Sequence, residues 1–169
     1  MKPSKASGGS GTPVPEPVAH PSDMVRRHLL AGWALLVLFL SLGVVLEALH
    51  GFKSGFYLDV SNETRRLMWR LAHAHGTFLG LVQIAFAFTL ERVPHWRAGS
   101  SILAGFCIHG ASVLLPLGFF LGGMVLHAGD PGMGIMLVPL GALLLFACGL
   151  LTIWALKSQA AGTVAGSGK

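Results

Sequence analysis

This sequence has little charge. Asp, Glu, Lys and Arg make up 11% of its 169 residues, where a soluble domain carries roughly a quarter. So few charges cannot clothe a water-facing surface. Cysteine is nearly absent too. Cys107 and Cys148 are the two present, and no Cys-x-x-Cys occurs, which excludes a disulfide framework. Both fall in apolar stretches and read as packing residues. No Ser-His-Asp set, carboxylate pair or phosphate loop is evident, so the sequence points away from an enzyme.

Apolar residues make up 53% of the chain, and they come in long blocks. A bilayer core about 30 Å thick needs roughly 20 apolar residues in a helix. Only helices and closed barrels satisfy every backbone group in hydrocarbon. The blocks show no period-two alternation, so helices are expected. The fold class is all-α, a four-helix transmembrane bundle with disordered termini. The formal net charge is +5. The basic residues flank the apolar blocks and read as orientation signals, not as a nucleic-acid surface.

Residues 1–24 are rich in Pro, Gly and Ser and are expected to be a disordered tail. Residues 25–157 form the membrane domain, with spans at about 29–49, 67–90, 98–127 and 133–156. Ser61, Asn62 and Glu63 offer caps for the second span. The third is long for a bilayer core and must tilt, bend at Pro116 or project into water. Gly129-Asp130-Pro131-Gly132 stops it. Residues 158–169 are expected to be a second disordered tail. Gly76 with Gly80 and Gly118 with Gly122 give small-xxx-small pairs suited to close helix packing.

Lys2, Lys5, Arg26, Arg27, Arg92, Arg97, Lys157 and Lys169 fall on the side of the termini, against Lys53, Arg65, Arg66 and Arg70 on the other. The positive-inside rule then places both termini in the cytoplasm. That orientation gathers His50, His73, His75, His127 and Glu47 toward the outer face. Ionisable groups in spans are costly and are functional candidates. Neutral imidazole ligates haem iron, copper and zinc.

His73 and His75 point about 200° apart on a helix, so both cannot face one centre. His73 shares a stripe with Arg66, Arg70, Gly76, Thr77 and Gly80, which favours it as the inward residue. Arg66 and Arg70 are placed to pair with Glu47 or with haem propionates. His109 is expected near mid-membrane, satisfied by helix contacts, with a hydrogen bond to Gln83 open to it. No other histidine is expected at its depth. His28 reads as interfacial, and His20 and His95 receive no role. The plainer reading of the outer set is interfacial histidines and an ordinary ion pair.

Residues 71–80 read Leu-Ala-His-Ala-His-Gly-Thr-Phe-Leu-Gly, and residues 115–118 read Leu-Pro-Leu-Gly. The first resembles the Ala-His-Ala-His-Leu-Asn-Leu-Leu-Gly motif of small four-helix bacterial membrane proteins described as cytochrome oxidase subunit I-like. The resemblance covers about 29–156, and Gly76 and Thr77 depart from the motif's Leu-Asn. It implies a haem-oxidase-like helix fragment in a bacterial inner membrane, with His73 and His75 as the motif histidines. It does not imply oxidase activity.

The expected function is a redox or cofactor-handling protein that holds haem b, or copper as a lesser choice, at the outer face. His73 or His75 would be one ligand and His127 or His50 the other. Arg66 and Arg70 would hold propionates, with Glu47 behind them. The alternative is a cofactor-free structural or assembly subunit of a larger membrane complex or homo-oligomer. In either case the bilayer is a partner and nucleic acid is not.

Overall fold

Four long helices carry the chain: α1 (Pro21–Gly51), α3 (Glu63–Arg92), α4 (Ala98–Met124) and α5 (Leu137–Gly166). The short α2 (Gly55–Leu58) lies between the first two, and a 3₁₀ turn (Met133–Met136) leads into α5. This computed structural model describes residues 21–59, 63–94 and 96–166. The tail at 1–20, the capping residues Ser61 and Asn62, His20, His95 and residues 167–169 lie outside the described residues. All four long helices are long and apolar enough to cross a membrane. The architecture is an all-α four-helix bundle built for a bilayer.

Three of the four long helices run past an end of the expected span, because the residues there continue the same helical hydrogen-bond ladder. α1 begins at Pro21 and not near 25, since proline suits a first helical turn. α5 continues past 157 to Gly166. The third span is shorter than expected. It stops at Met124, and a tight turn takes the next residues. His127 and Asp130 exchange backbone bonds of 3.1 and 2.9 Å. Ala128 and Gly129 between them both have positive φ, 52° and 92°, the pattern of a type I′ turn.

α3 and α4 are the central pair, and the more buried. α1 packs on α3, α3 on α4, and α4 on α5. Leu79, Phe86, Ala104, Ile108, Ala111 and Leu115 form the main core, with Cys107 and Cys148 in it as plain packing groups. Glycine sets the α1–α3 approach. A methyl group on Gly32 would lie 2.8 Å from the Gly80 carbonyl oxygen, and one on Gly80 3.0 Å from the Gly32 carbonyl oxygen. The two backbones therefore touch at this crossing. Outward-facing Leu, Val, Ile and Phe along α1 and α5 are exposed, as lipid-facing positions should be.

A second cluster caps the end of the bundle that carries α2. Trp69 stacks between Tyr57 and Phe120, at 6.3 and 5.6 Å between ring centroids. Its indole N–H donates to the Phe120 carbonyl at 3.2 Å. Arg65 ties three elements together at this end. It donates to the carbonyls of Gly123 (3.1 Å) and Phe56 (3.2 Å) and lies over the Phe56 ring.

Candidate functional site: a buried histidine cluster

The most polar interior position lies where α1, α3 and α4 meet, in the half of the bundle away from α2. His28 is 2% exposed. Its Nδ1 stands 2.6 Å from Gln83 Oε1, so it donates to that oxygen. Gln83 is fully buried, and its amide nitrogen donates to Ser112 Oγ at 3.2 Å. Ser112 in turn donates to the Ile108 carbonyl at 2.7 Å. His109 lies against His28, with ring centroids 4.4 Å apart. Its Nδ1 donates to the Gly105 carbonyl one turn back.

Local sequence makes this room. A methyl group on Gly105 would come within 3.0 Å of His28 Nε2. Phe86 closes the other side of the His28 ring, 4.8 Å away. One histidine from each of two helices, an amide and a hydroxyl thus form one connected set. This departs from the sequence expectation in three ways. His28 is buried, not interfacial. His109 does have a histidine at its depth. Gln83 bonds His28 and Ser112, not His109. The reason is that α1 starts earlier than its apolar block, so His28 lies a full turn or more inside the helix. The available signal was the small residue Gly105 one turn before His109.

The outer-half histidines are placed differently. His73 faces α1, where its Nδ1 donates to the Phe39 carbonyl at 2.6 Å. The ring fills the space beside Gly43, where a methyl group would approach it to 2.5 Å. His75 faces α4, against Phe119 at 4.7 Å, and its Nδ1 donates to the Leu71 carbonyl. Both AHAH rings are therefore half-buried, each against a different neighbour, as their 200° separation requires.

His50 and His127 are exposed at the helix ends. His50 lies seven residues beyond Gly43 on α1, about 10 Å further toward the α2 end than the His73 ring beside that glycine. Thr64 donates to the Gly129 carbonyl. This bond puts the His127 turn about 16 Å above His75 by the same helical rise. Glu47 and Arg70 are exposed, and Arg66 pairs with Glu63 at 3.3 Å and with the Leu58 carbonyl, not with Glu47.

As placed, then, these four histidines do not converge. Among the described residues no group of three or more His, Cys, Asp or Glu comes together as a metal site. A bis-histidine haem does not fit this set, because its two ligands must meet one iron from opposite sides. No protein family, curated protein or solved structure matches the chain.

Proposed function

We propose that the chain is a proton-handling protein of a bacterial inner membrane, with both termini cytoplasmic, whose working site is the His28–His109–Gln83–Ser112 cluster. The observation that carries this is the ring contact between His28 and His109 at 4.4 Å, inside a connected hydrogen-bond chain. Packing alone is achieved at lower cost by leucine. Ionisable side chains kept inside spans mark sites of proton or ligand handling. Each imidazole can take a proton at one nitrogen and release it from the other. With Nδ1 committed to an acceptor in both rings, Nε2 is the working atom. The excess of basic residues at the terminal side sets the orientation and puts the cluster in the cytoplasmic half.

The test is ¹⁵N NMR of histidine-labelled full-length protein in lipid nanodiscs between pH 5 and 8. A relay requires that the His28 and His109 signals titrate together and that Gln83→Leu changes both. Two rings that stay as the same neutral tautomer throughout would sink the proposal.

A second reading is supported by a separate observation. The Nδ1–H groups of His73 and His75 are tied to backbone carbonyls, the arrangement that presents Nε2 to a metal. Haem b, or copper, held through one AHAH histidine would use it, with Arg66 or Arg70 toward the propionates. A reduced-minus-oxidised visible spectrum with a stoichiometric b-type band, lost in His73→Ala or His75→Ala, supports this reading. A flat spectrum with no metal by elemental analysis ends it.

A further inference from the structure

The passage from α4 to α5 concentrates one residue type. Met124, Met133 and Met136 are 48%, 81% and 66% exposed. Every other exposed large hydrophobic among the described residues is Leu, Val, Ile, Phe or Trp. Contact with lipid does not account for this choice, because the rest of the lipid-facing surface is built without methionine.

Local structure brings the three positions together. Past the end of α4 the chain folds back on itself. The Gly132 N–H donates to the Gly122 carbonyl at 2.9 Å, and a methyl group on Gly132 would collide with the Val125 carbonyl oxygen. The two arms run antiparallel at this neck, so Met124 and Met133 are neighbours across it. Met133 opens the 3₁₀ turn and Met136 closes it. Side chains three apart on such a turn are eclipsed, here about 6 Å apart along its axis. Gly134 lies against Leu121 and Ile135 against Gly122. Those two positions take the face toward α4, and the two methionines share the face away from it.

The chemistry of the donors selects the ligand. A thioether is neutral and soft, on an unbranched side chain that turns to meet a partner without backbone movement. Ca²⁺ and Mg²⁺ take oxygen ligands. Soft sulfur donors select Cu(I), whose single charge needs no carboxylate to balance it. We infer that Met124, Met133 and Met136 form a Cu(I) site, with three thioether sulfurs around one ion. His127, at the tip of the turn beyond the neck, is not a ligand. The site is at the opposite end of the bundle from His28 and His109, so it stands apart from the proton reading. It is also distinct from copper held at His73 or His75.

The experiment uses the full chain in lipid nanodiscs, with Cu(I) kept reduced by ascorbate and bicinchoninate as the competing chelator. One Cu(I) per chain should be retained, with sulfur and no imidazole in its X-ray absorption fine structure. That wild-type spectrum depends on no variant. Met133→Leu combined with Met136→Leu keeps the apolar surface and removes two sulfurs, and should weaken binding by about tenfold or more. Met124→Leu should weaken it by about fivefold. Thermal melting checks that these variants remain folded. His127→Ala and His75→Ala should stay within about twofold of wild type.

Binding that is indifferent to the leucine variants overturns the inference and makes the methionines lipid contacts. Imidazole in the absorption spectrum, or loss of Cu(I) in His127→Ala or His75→Ala, moves the metal to a histidine and overturns it too. So does Zn²⁺ bound as tightly as Cu(I), since thioethers would not then be what holds it.

Discussion

His28 and His109 meet with their ring planes 64° apart and their centroids 4.4 Å apart, one on α1 and the other on α4. Neither helix brings the pair together alone. α3 supplies Gln83, which holds His28 from below, and α4 supplies the space at Gly105. The cluster therefore reports on the whole three-helix corner, and breaking any one link should be felt by the others.

Gln83→Leu keeps the volume and removes both hydrogen bonds of the amide. It leaves the His28 N–H without its acceptor in a buried position. The expected loss is about 1–3 kcal/mol of stability, read by denaturant titration in mild detergent. Ser112→Ala should cost less, about 0.5–1 kcal/mol, because hydrogen bonds between membrane helices are worth little individually. Equal and negligible losses would mean that the chain of bonds contributes nothing.

The α1–α3 crossing should be the most sensitive backbone contact. Gly32→Val forces side-chain atoms against the Gly80 carbonyl and Ile84, both within 3 Å of a methyl group at that position. Overpacking of this kind costs about 1–3 kcal/mol. Gly149 on α5 has nothing within 4 Å of such a methyl group. Gly149→Ala should therefore be neutral or stabilising by up to about 1 kcal/mol through helix propensity. Thermal melts of the two variants in one detergent make the comparison, and a destabilised Gly149→Ala would contradict it.

Arg65 and Arg66 are neighbours in sequence and unequal in structure. Arg65 bonds two carbonyls and covers Phe56. Arg66 has an ion pair with Glu63, whose side chain is 74% exposed, and such pairs are worth about 0–1 kcal/mol. Arg65→Lys loses the planar fork that reaches both carbonyls. It should destabilise the α2 end more than Arg66→Lys, with faster hydrogen exchange at Phe56–Leu58 as the measurement.

The four spans and their order were legible because long apolar blocks bounded by Arg, Gly and Pro leave little choice. So was the opposed placement of His73 and His75, which helical geometry alone fixes. The polar core was not legible. His28 stands before the apolar block of α1, and hydropathy cannot tell an interfacial residue from one that a helix carries inside. Nor can periodicity pair residues fifty-five positions apart, as His28 and Gln83 are. The outer histidines share a side of the membrane in sequence, yet side is not depth. The seven-residue step from Gly43, which the His73 ring lies against, to His50 separates the two by about 10 Å along the helix.

Trp69 should hold α2 in place. It is 7% exposed and lies between Tyr57 and Phe120. Trp69→Phe keeps a ring but drops the bond to the Phe120 carbonyl, for about 1 kcal/mol. Trp69→Ala removes the whole plug, for about 3–5 kcal/mol. Hydrogen exchange at α2 should rise in that order. Unchanged protection in Trp69→Ala would mean that the bonds from Arg65 and Arg66 suffice to dock the segment.

The two motif histidines should separate in stability as they do in placement. His73 bonds across to α1, so His73→Ala removes a contact between helices and opens a void beside Gly43. His75 bonds within its own helix, to Leu71 one turn back, and gives α4 only its ring face. His73→Ala should therefore cost about 1–2 kcal/mol and His75→Ala less than about 1 kcal/mol, measured by unfolding of the cofactor-free protein. Under a purely structural role this ordering holds whether or not haem is supplied. If haem supply stabilises the wild-type chain and that gain vanishes in His75→Ala, His75 Nε2 is a ligand. If it vanishes in His73→Ala instead, the ligand is the ring beside α1. The apo-protein ordering is the baseline that lets a ligand effect be told from a packing effect.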